Sequence, residues 1–180
     1  KLLEGIEVVN EHTYSDEALQ IALDNNLTII GTSDIHGLID WEFGVPKGGH
    51  RPVTLVFSKE KNEAGIKEGL ISRRTVVFYK DLLIGRDEFL IPLINASLTI
   101  KSAKYIGKSD VLSVRILNNT SSEFILRNKN NFTFHNNNDI VTIKPGDENI
   151  IEIKTKERVK ALNLSFEILS AVNAPGSHPL

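Results

Sequence analysis

The 180-residue sequence contains no cysteine. Disulfides and thiolate metal sites are therefore excluded, and with them the usual clue to redox compartment. No window of about 18 apolar residues occurs, so no membrane-spanning helix is encoded. The front of the chain lacks a basic segment followed by an apolar one, and no signal peptide is visible. It opens at Lys1 and not at a methionine, and is expected to be cut from something longer. The compartment stays open between periplasm and cytoplasm. Charge of one sign is also scarce. Lysine and arginine number 21 against 23 aspartates and glutamates, a net charge of −2. Residues 1–97 carry 10 basic and 15 acidic side chains, and residues 98–180 carry 11 and 8. Neither half has the dense basic face that nucleic-acid binding needs. There is no internal repeat and no heptad.

What is present suits a globular chain of one or two domains, 41% hydrophobic and 24% charged. The first half alternates strand and helix. GIEVV (5–9) reads as a short apolar strand. Residues 16–25 fit a helix, with Ser15 as N-cap, Asp16 and Glu17 in the first turn, and Ala18, Leu19, Ala22 and Leu23 as its apolar stripe. Residues 27–32 return as a strand, giving a βαβ unit whose strands should be parallel with a right-handed crossover. Strands are predicted over 53–57 and 75–79 and a helix over 62–71, with an amphipathic or loop-like segment at 86–95 broken by Pro92. From Leu98 the period changes to 2. Six or seven short segments separated by Gly, Asn, Asp and Pro turns predict an all-β sandwich. Within it Leu112, Val114 and Ile116 share the dry face, and KPGD (144–147) is a tight turn. The expected division is an α/β part over 1–97, a sandwich over 98–172 and a tail over 173–180.

Chemistry concentrates in TIIGTSDIHG (28–37), a β-branched run ending in Asp34 and His36 between Gly31 and Gly37. A buried strand that stops at a Gly/Ser turn delivers polar side chains to its C-terminal end, where α/β sheets and barrels keep their sites. In extended chain a carboxylate and an imidazole two residues apart project to one side, and both are ready ligands for a divalent cation. The competing reading is that Ser33 or Asp34 only caps a turn. On the preceding strand, alternation groups Glu7 with Val9 and Ile6 with Val8, so Glu7 can face an interior and orient a ligand, or else face solvent. His12 sits in a polar loop. The long stretch 38–52 leaves the same strand end and holds Trp41, a substrate wall or a packing residue. His50 and Arg51 follow, as a donor or general acid and a phosphate-binding fork, or as a loop anchor.

The strings GIEVVN, GTSDIHG, GGHRPVTLVFS and SRRTVVFY together resemble the C-terminal part of the PHP (polymerase and histidinol phosphatase) family of metal-dependent phosphoesterases. The likeness is greatest to bacterial members that carry a small β-sandwich behind the barrel. It implies a fold class of α/β plus all-β: the C-terminal portion of a distorted (β/α)7 barrel followed by an immunoglobulin-like β-sandwich. The family's last metal-binding motif, Asp-x-His, falls on Asp34 and His36. A cluster of two or three divalent ions (zinc, manganese or iron) would activate water against a small phosphorylated substrate. The family's opening His-x-His pair is absent, since the first histidine here is His12. The resemblance therefore implies an incomplete site and a chain inactive by itself. The alternative is a non-catalytic module in which the sandwich binds or assembles and the α/β half is a remnant.

Overall fold

The structure is a computed structural model that describes residues 2–136 and 138–180. It divides into two compact units, Lys1–Leu90 with Ala171–Ser177, and Ile91–Ser170 with His178–Leu180.

In the first unit local chemistry sets the opening elements. Strand β1 (Gly5–Asn10) is followed by a short β2 (Thr13–Tyr14) that pairs antiparallel with it. Ser15 lies in extended conformation and its hydroxyl accepts the Ala18 N–H at 3.1 Å, which starts helix α1 (Asp16–Asp24). Asp16 and Glu17 lie where the helix dipole favours acids. Strand β3 (Thr28–Thr32) then runs parallel to β1. The Arg86 guanidinium donates to the carbonyls of Ala22 at 3.1 Å and Leu27 at 2.8 Å, fixing the end of the helix and the entry to β3. Burial lowers the Arg86 pKa, while the charge of Glu88 opposes that shift. Val8, Val9, Leu19, Ile29, Val77 and Ile84 form the fully buried centre of this unit.

Alternation fails on β1. Its register against β3 shifts between Glu7 and Val9, so Val8 and Val9 are both buried while Glu7 is exposed. The expected pairing of Glu7 with Val9 on one face does not hold, because a bulge shifts every later side chain by one position.

The segment after β3 contains helix α2 (Ile39–Glu42) and a 3₁₀ turn over Val45–Lys47. Strand β4 (Val53–Val56), helix α3 (Glu63–Ile71), β5 (Thr75–Tyr79) and β6 (Leu82–Gly85) follow. The second sheet has the order β14-β6-β5-β4, where β14 is Ala171–Val172. Its β4, β5 and β6 are antiparallel to their neighbours, and only β6 and β14 run parallel. Among the described residues, parallel pairing across a single helical crossover, as in successive barrel turns, is thus confined to β1 and β3. The turn at Lys80, which adopts φ +52°, folds β6 back on β5. Helix α4 (Asp87–Ser97) runs through Pro92 without breaking there. Proline removes one helical N–H, but burial of Leu90 and Ile94 on either side of it holds the helix.

In the second unit β7 (Leu98–Tyr105), β8 (Val111–Asn118), β10 (Thr133–Phe134) and β12 (Glu148–Lys154) form one sheet, ordered β10-β12-β8-β7. The other sheet is β11-β9-β13, built from β9 (Phe124–Asn128), β11 (Ile140–Ile143) and β13 (Phe166–Ile168). Leu112, Val114 and Ile116 are buried as the alternation requires, and so is Val111. The 144–147 turn closes through Asp147 N–H to the Lys144 carbonyl at 3.2 Å, with Gly146 at φ +66°. Asn118, fully buried, donates to the carbonyls of Ser122 and Ile143 and accepts from the N–H and hydroxyl of Thr120.

Candidate functional site

The two parallel strands β1 and β3 end side by side, and the polar residues follow directly. The Glu11 N–H donates to the Thr32 carbonyl at 3.1 Å, closing the pair. Beyond Thr32 the backbone leaves extended conformation: Asp34 has φ +42°, in the left-handed region. This kink, and not simple strand alternation, sets the direction of the Asp34 side chain. Its Oδ1 lies 3.5 Å from Nε2 of His36, with the two side chains 50% and 85% exposed. An exposed pair of this kind adds little to stability. A carboxylate oxygen and an imidazole nitrogen this close present two donors suited to one cation.

Glu7 makes no hydrogen bond or ion pair with either among the described residues. Its Oε1 accepts the Thr32 hydroxyl at 2.9 Å, and its Oε2 accepts the Asn10 side-chain amide at 3.1 Å. The carboxylate thus ties the end of β1 to the last residue of β3, two positions before Asp34. Thr32 and Asn10 were not singled out by sequence. Their only signal was a polar residue at each strand end.

The backbone of β3 is braced from beneath by two threonines that sequence reasoning also missed. Thr54 accepts the Gly31 N–H at 2.9 Å and donates to the Gly31 carbonyl at 2.8 Å. Thr75 donates to the Ile29 carbonyl at 2.8 Å. A Cβ on Gly31 would stand 2.4 Å from Val77 Cγ1, so glycine lets β5 approach the strand that carries the site.

His50 is stacked on Phe78, with ring centroids 4.3 Å apart and planes within 9°. Its Nδ1 lies 3.0 Å from the Arg51 carbonyl and its Nε2 2.9 Å from the Lys80 carbonyl. Both nitrogens face backbone, so the ring anchors its loop to the β5–β6 turn. Arg51 is exposed and has no ion pair among the described residues. Trp41 is 81% exposed, so packing does not explain it. The exposed His12 ring packs against Phe43 at 4.9 Å, and its carbonyl accepts the Tyr79 hydroxyl. Among the described residues no three His, Asp or Glu side chains gather as a metal-binding group.

The chain is similar over 98% of its length to the crystal structure of a two-domain protein from Bacteroides vulgatus ATCC 8482. That protein contains a predicted PHP-like metal-dependent phosphoesterase; the TM-score is 0.87 and the sequence identity 34%. The chain spans about half of that structure, 51%. Residues 98–180 match a family described as an Ig-like domain. No curated protein matches the chain. These likenesses cover the unit that carries Asp34 and His36 as well as the β-sandwich.

Proposed function

We propose that the chain is the C-terminal portion of a bacterial metal-dependent phosphoesterase, a PHP-type barrel segment over 1–97 followed by the β-sandwich. The observation that carries this reading is the approach of Asp34 and His36 at the end of a buried parallel strand, in a chain similar throughout to a structure containing a predicted PHP-like phosphoesterase. A hard carboxylate oxygen and an imidazole nitrogen suit zinc, manganese or iron(II). Two donors do not complete a coordination sphere, and the remaining ones would come from polypeptide outside this chain. When bound, such cations activate water and polarise a phosphoryl oxygen.

The chain's own residues then have distinct tasks. Asp34 and His36 hold the cation at an exposed strand end. Glu7, through Thr32, holds the strand end on which Asp34 is carried. Arg51 offers a planar guanidinium to a phosphate. His50 keeps that loop in place from its stacked position on Phe78.

The test is paired. The chain alone and the longer protein that contains it are assayed with p-nitrophenyl phosphate and manganese. Turnover by the longer protein alone, abolished by Asp34→Asn, supports the reading. Metal-dependent turnover by the 180-residue chain, or full activity of the Asp34→Asn protein, overturns it.

A further inference from the structure

The second unit has an open side. Between the β7–β8 face of one sheet and the approach to β13 in the other lies a cleft of about 1010 Å³. Its floor includes Val114, Ile116 and Leu126, and its wall includes Leu162, Leu164 and Phe166. The wall is the stretch 159–165, whose alternation predicts a strand. Leu162 and Leu164 are half-buried while Ala161, Asn163 and Ser165 are exposed. The period-2 pattern is therefore realised, yet pairing with β9 begins only around Ser165, whose carbonyl accepts the Lys129 N–H at 3.2 Å. The backbone of 160–164 makes no hydrogen bond among the described residues.

The outer edge of this extended stretch is equally free. Ser165 and Leu169 bond to the β9 side, so alternation turns the backbone groups of Leu162, Leu164, Phe166 and Ile168 away from it. Among the described residues only Ile168 is engaged there, donating to the Pro179 carbonyl at 2.9 Å. A run of backbone groups without partners among the described residues, beside an apolar cleft and leading into the edge strand β13, is a place where a strand can be added.

The rim supplies the second half of the specificity. Lys104, Arg158 and Lys160 line the cleft, and no aspartate or glutamate does. Arg158 is fixed, donating to the carbonyls of Ser109 and Gly107 and lying 5.0 Å over the Tyr105 ring. The Tyr105 hydroxyl in turn accepts the Val159 N–H at 2.8 Å, which pins the start of the stretch. Lys104 and Lys160 have no ion pair among the described residues.

The geometry points to this cleft as a docking site for an extended segment of a partner polypeptide. That segment adds a strand to the edge at 162–166, placing alternate apolar side chains into the cleft, with the acidic side chains at its ends reaching Lys104, Arg158 and Lys160 on the rim. The inference concerns the sandwich alone and stands whether or not the proposed phosphoesterase activity is found.

The probe is an acetylated, amidated heptapeptide alternating glutamate with valine and leucine, compared with its lysine-for-glutamate counterpart and with dodecanoate. Titration is followed by amide chemical shifts and hydrogen exchange. Saturable binding of the acidic peptide below about 1 mM is expected, with slowed exchange at Leu162, Leu164 and Phe166 but not at Asn163. Lys104→Glu with Lys160→Glu, both exposed, should weaken the acidic peptide about tenfold and strengthen the lysine peptide. Leu162→Asp, checked for folding by circular dichroism, should abolish binding of both peptides. Absence of saturable binding, equal affinity for the two peptides in the unsubstituted chain, or binding without protection of alternate amides overturns the inference. So does tighter binding of dodecanoate that leaves those amides unprotected, which would make the cleft a site for apolar chains.

Discussion

The hydroxyl of Thr32 donates to the carboxylate of Glu7 at 2.9 Å, joining the ends of two parallel strands whose sequences lie 25 positions apart. This bond is exposed, so its energetic worth is modest. Thr32→Val should cost about 0.5–1.5 kcal/mol in urea unfolding. Glu7→Ala combined with Thr32→Val should cost less than the sum of the single changes, because each single change removes the same bond. Strict additivity in that cycle would show that the bond carries no energy.

Asp34 and His36 are exposed and lie outside the core, so their part in stability and their proposed part in chemistry can be tested separately. Asp34→Asn and His36→Ala should each change unfolding free energy by no more than about 0.5 kcal/mol. In the longer protein the same changes should lower metal-dependent phosphoester hydrolysis at least about 100-fold. A large loss of stability from either change would assign the pair to the fold instead.

A side chain at Gly31, on the strand that leads to the candidate pair, would run into Val77 of β5. Gly31→Ala places a methyl against Val77 and should cost about 1–3 kcal/mol. Adding Val77→Ala should recover part of that loss, although Val77→Ala by itself destabilises a fully buried position. Thermal unfolding of the two single variants and the double variant measures the coupling.

Asn118 satisfies backbone carbonyls at a buried corner of the sandwich, from Ser122 and Ile143, while Thr120 donates to it. Asn118→Leu leaves those groups unpaired inside the protein. The expected destabilisation is about 1–3 kcal/mol or more, read by denaturant unfolding of the second unit. Asn119→Ala, at a neighbouring exposed position, should be nearly silent by comparison.

Glu167 sets an acid-side dependence. Desolvation acts to raise its pKa, but the hydrogen bond from Arg127 at 2.9 Å and the charges of Lys129, Arg127 and His178 outweigh it and leave the carboxyl below its ordinary range. Its folded pKa is therefore below its unfolded one. The stability it contributes is fully present above the unfolded value and is lost as pH falls through the folded value. Carboxyl carbon titration should show a midpoint below that of a free glutamate, and Arg127→Gln should move the midpoint upward. A midpoint unmoved by Arg127→Gln would remove Arg127 as the cause.

Local signals were enough for the elements whose causes are local. Ser15 caps α1, and the period-2 runs over β7, β8 and β12 form paired strands, because capping and alternation act within a few residues. Asp34 and His36 stood out as ligand-type side chains ending an apolar strand, and they lie close together, but a left-handed kink at Asp34 and not extended-chain alternation sets their geometry. The bulge after Glu7, the antiparallel return of β6 on β5 and the passage of α4 through Pro92 were not legible. Each is decided by burial against residues distant in sequence.

The sequence by itself determined the capped start of α1, the dry face of β8, and that no cysteine chemistry is available. Only tertiary structure decided that Thr54 and Thr75 would brace β3, that His50 would lie stacked with both nitrogens on carbonyls, and that the backbone of 160–164 would have no hydrogen-bond partner among the described residues. The physical reason is range. Propensity and alternation are fixed by neighbours along the chain, whereas the partner of a hydroxyl, a ring or a strand edge is fixed by what the rest of the fold brings within about 3 Å of it.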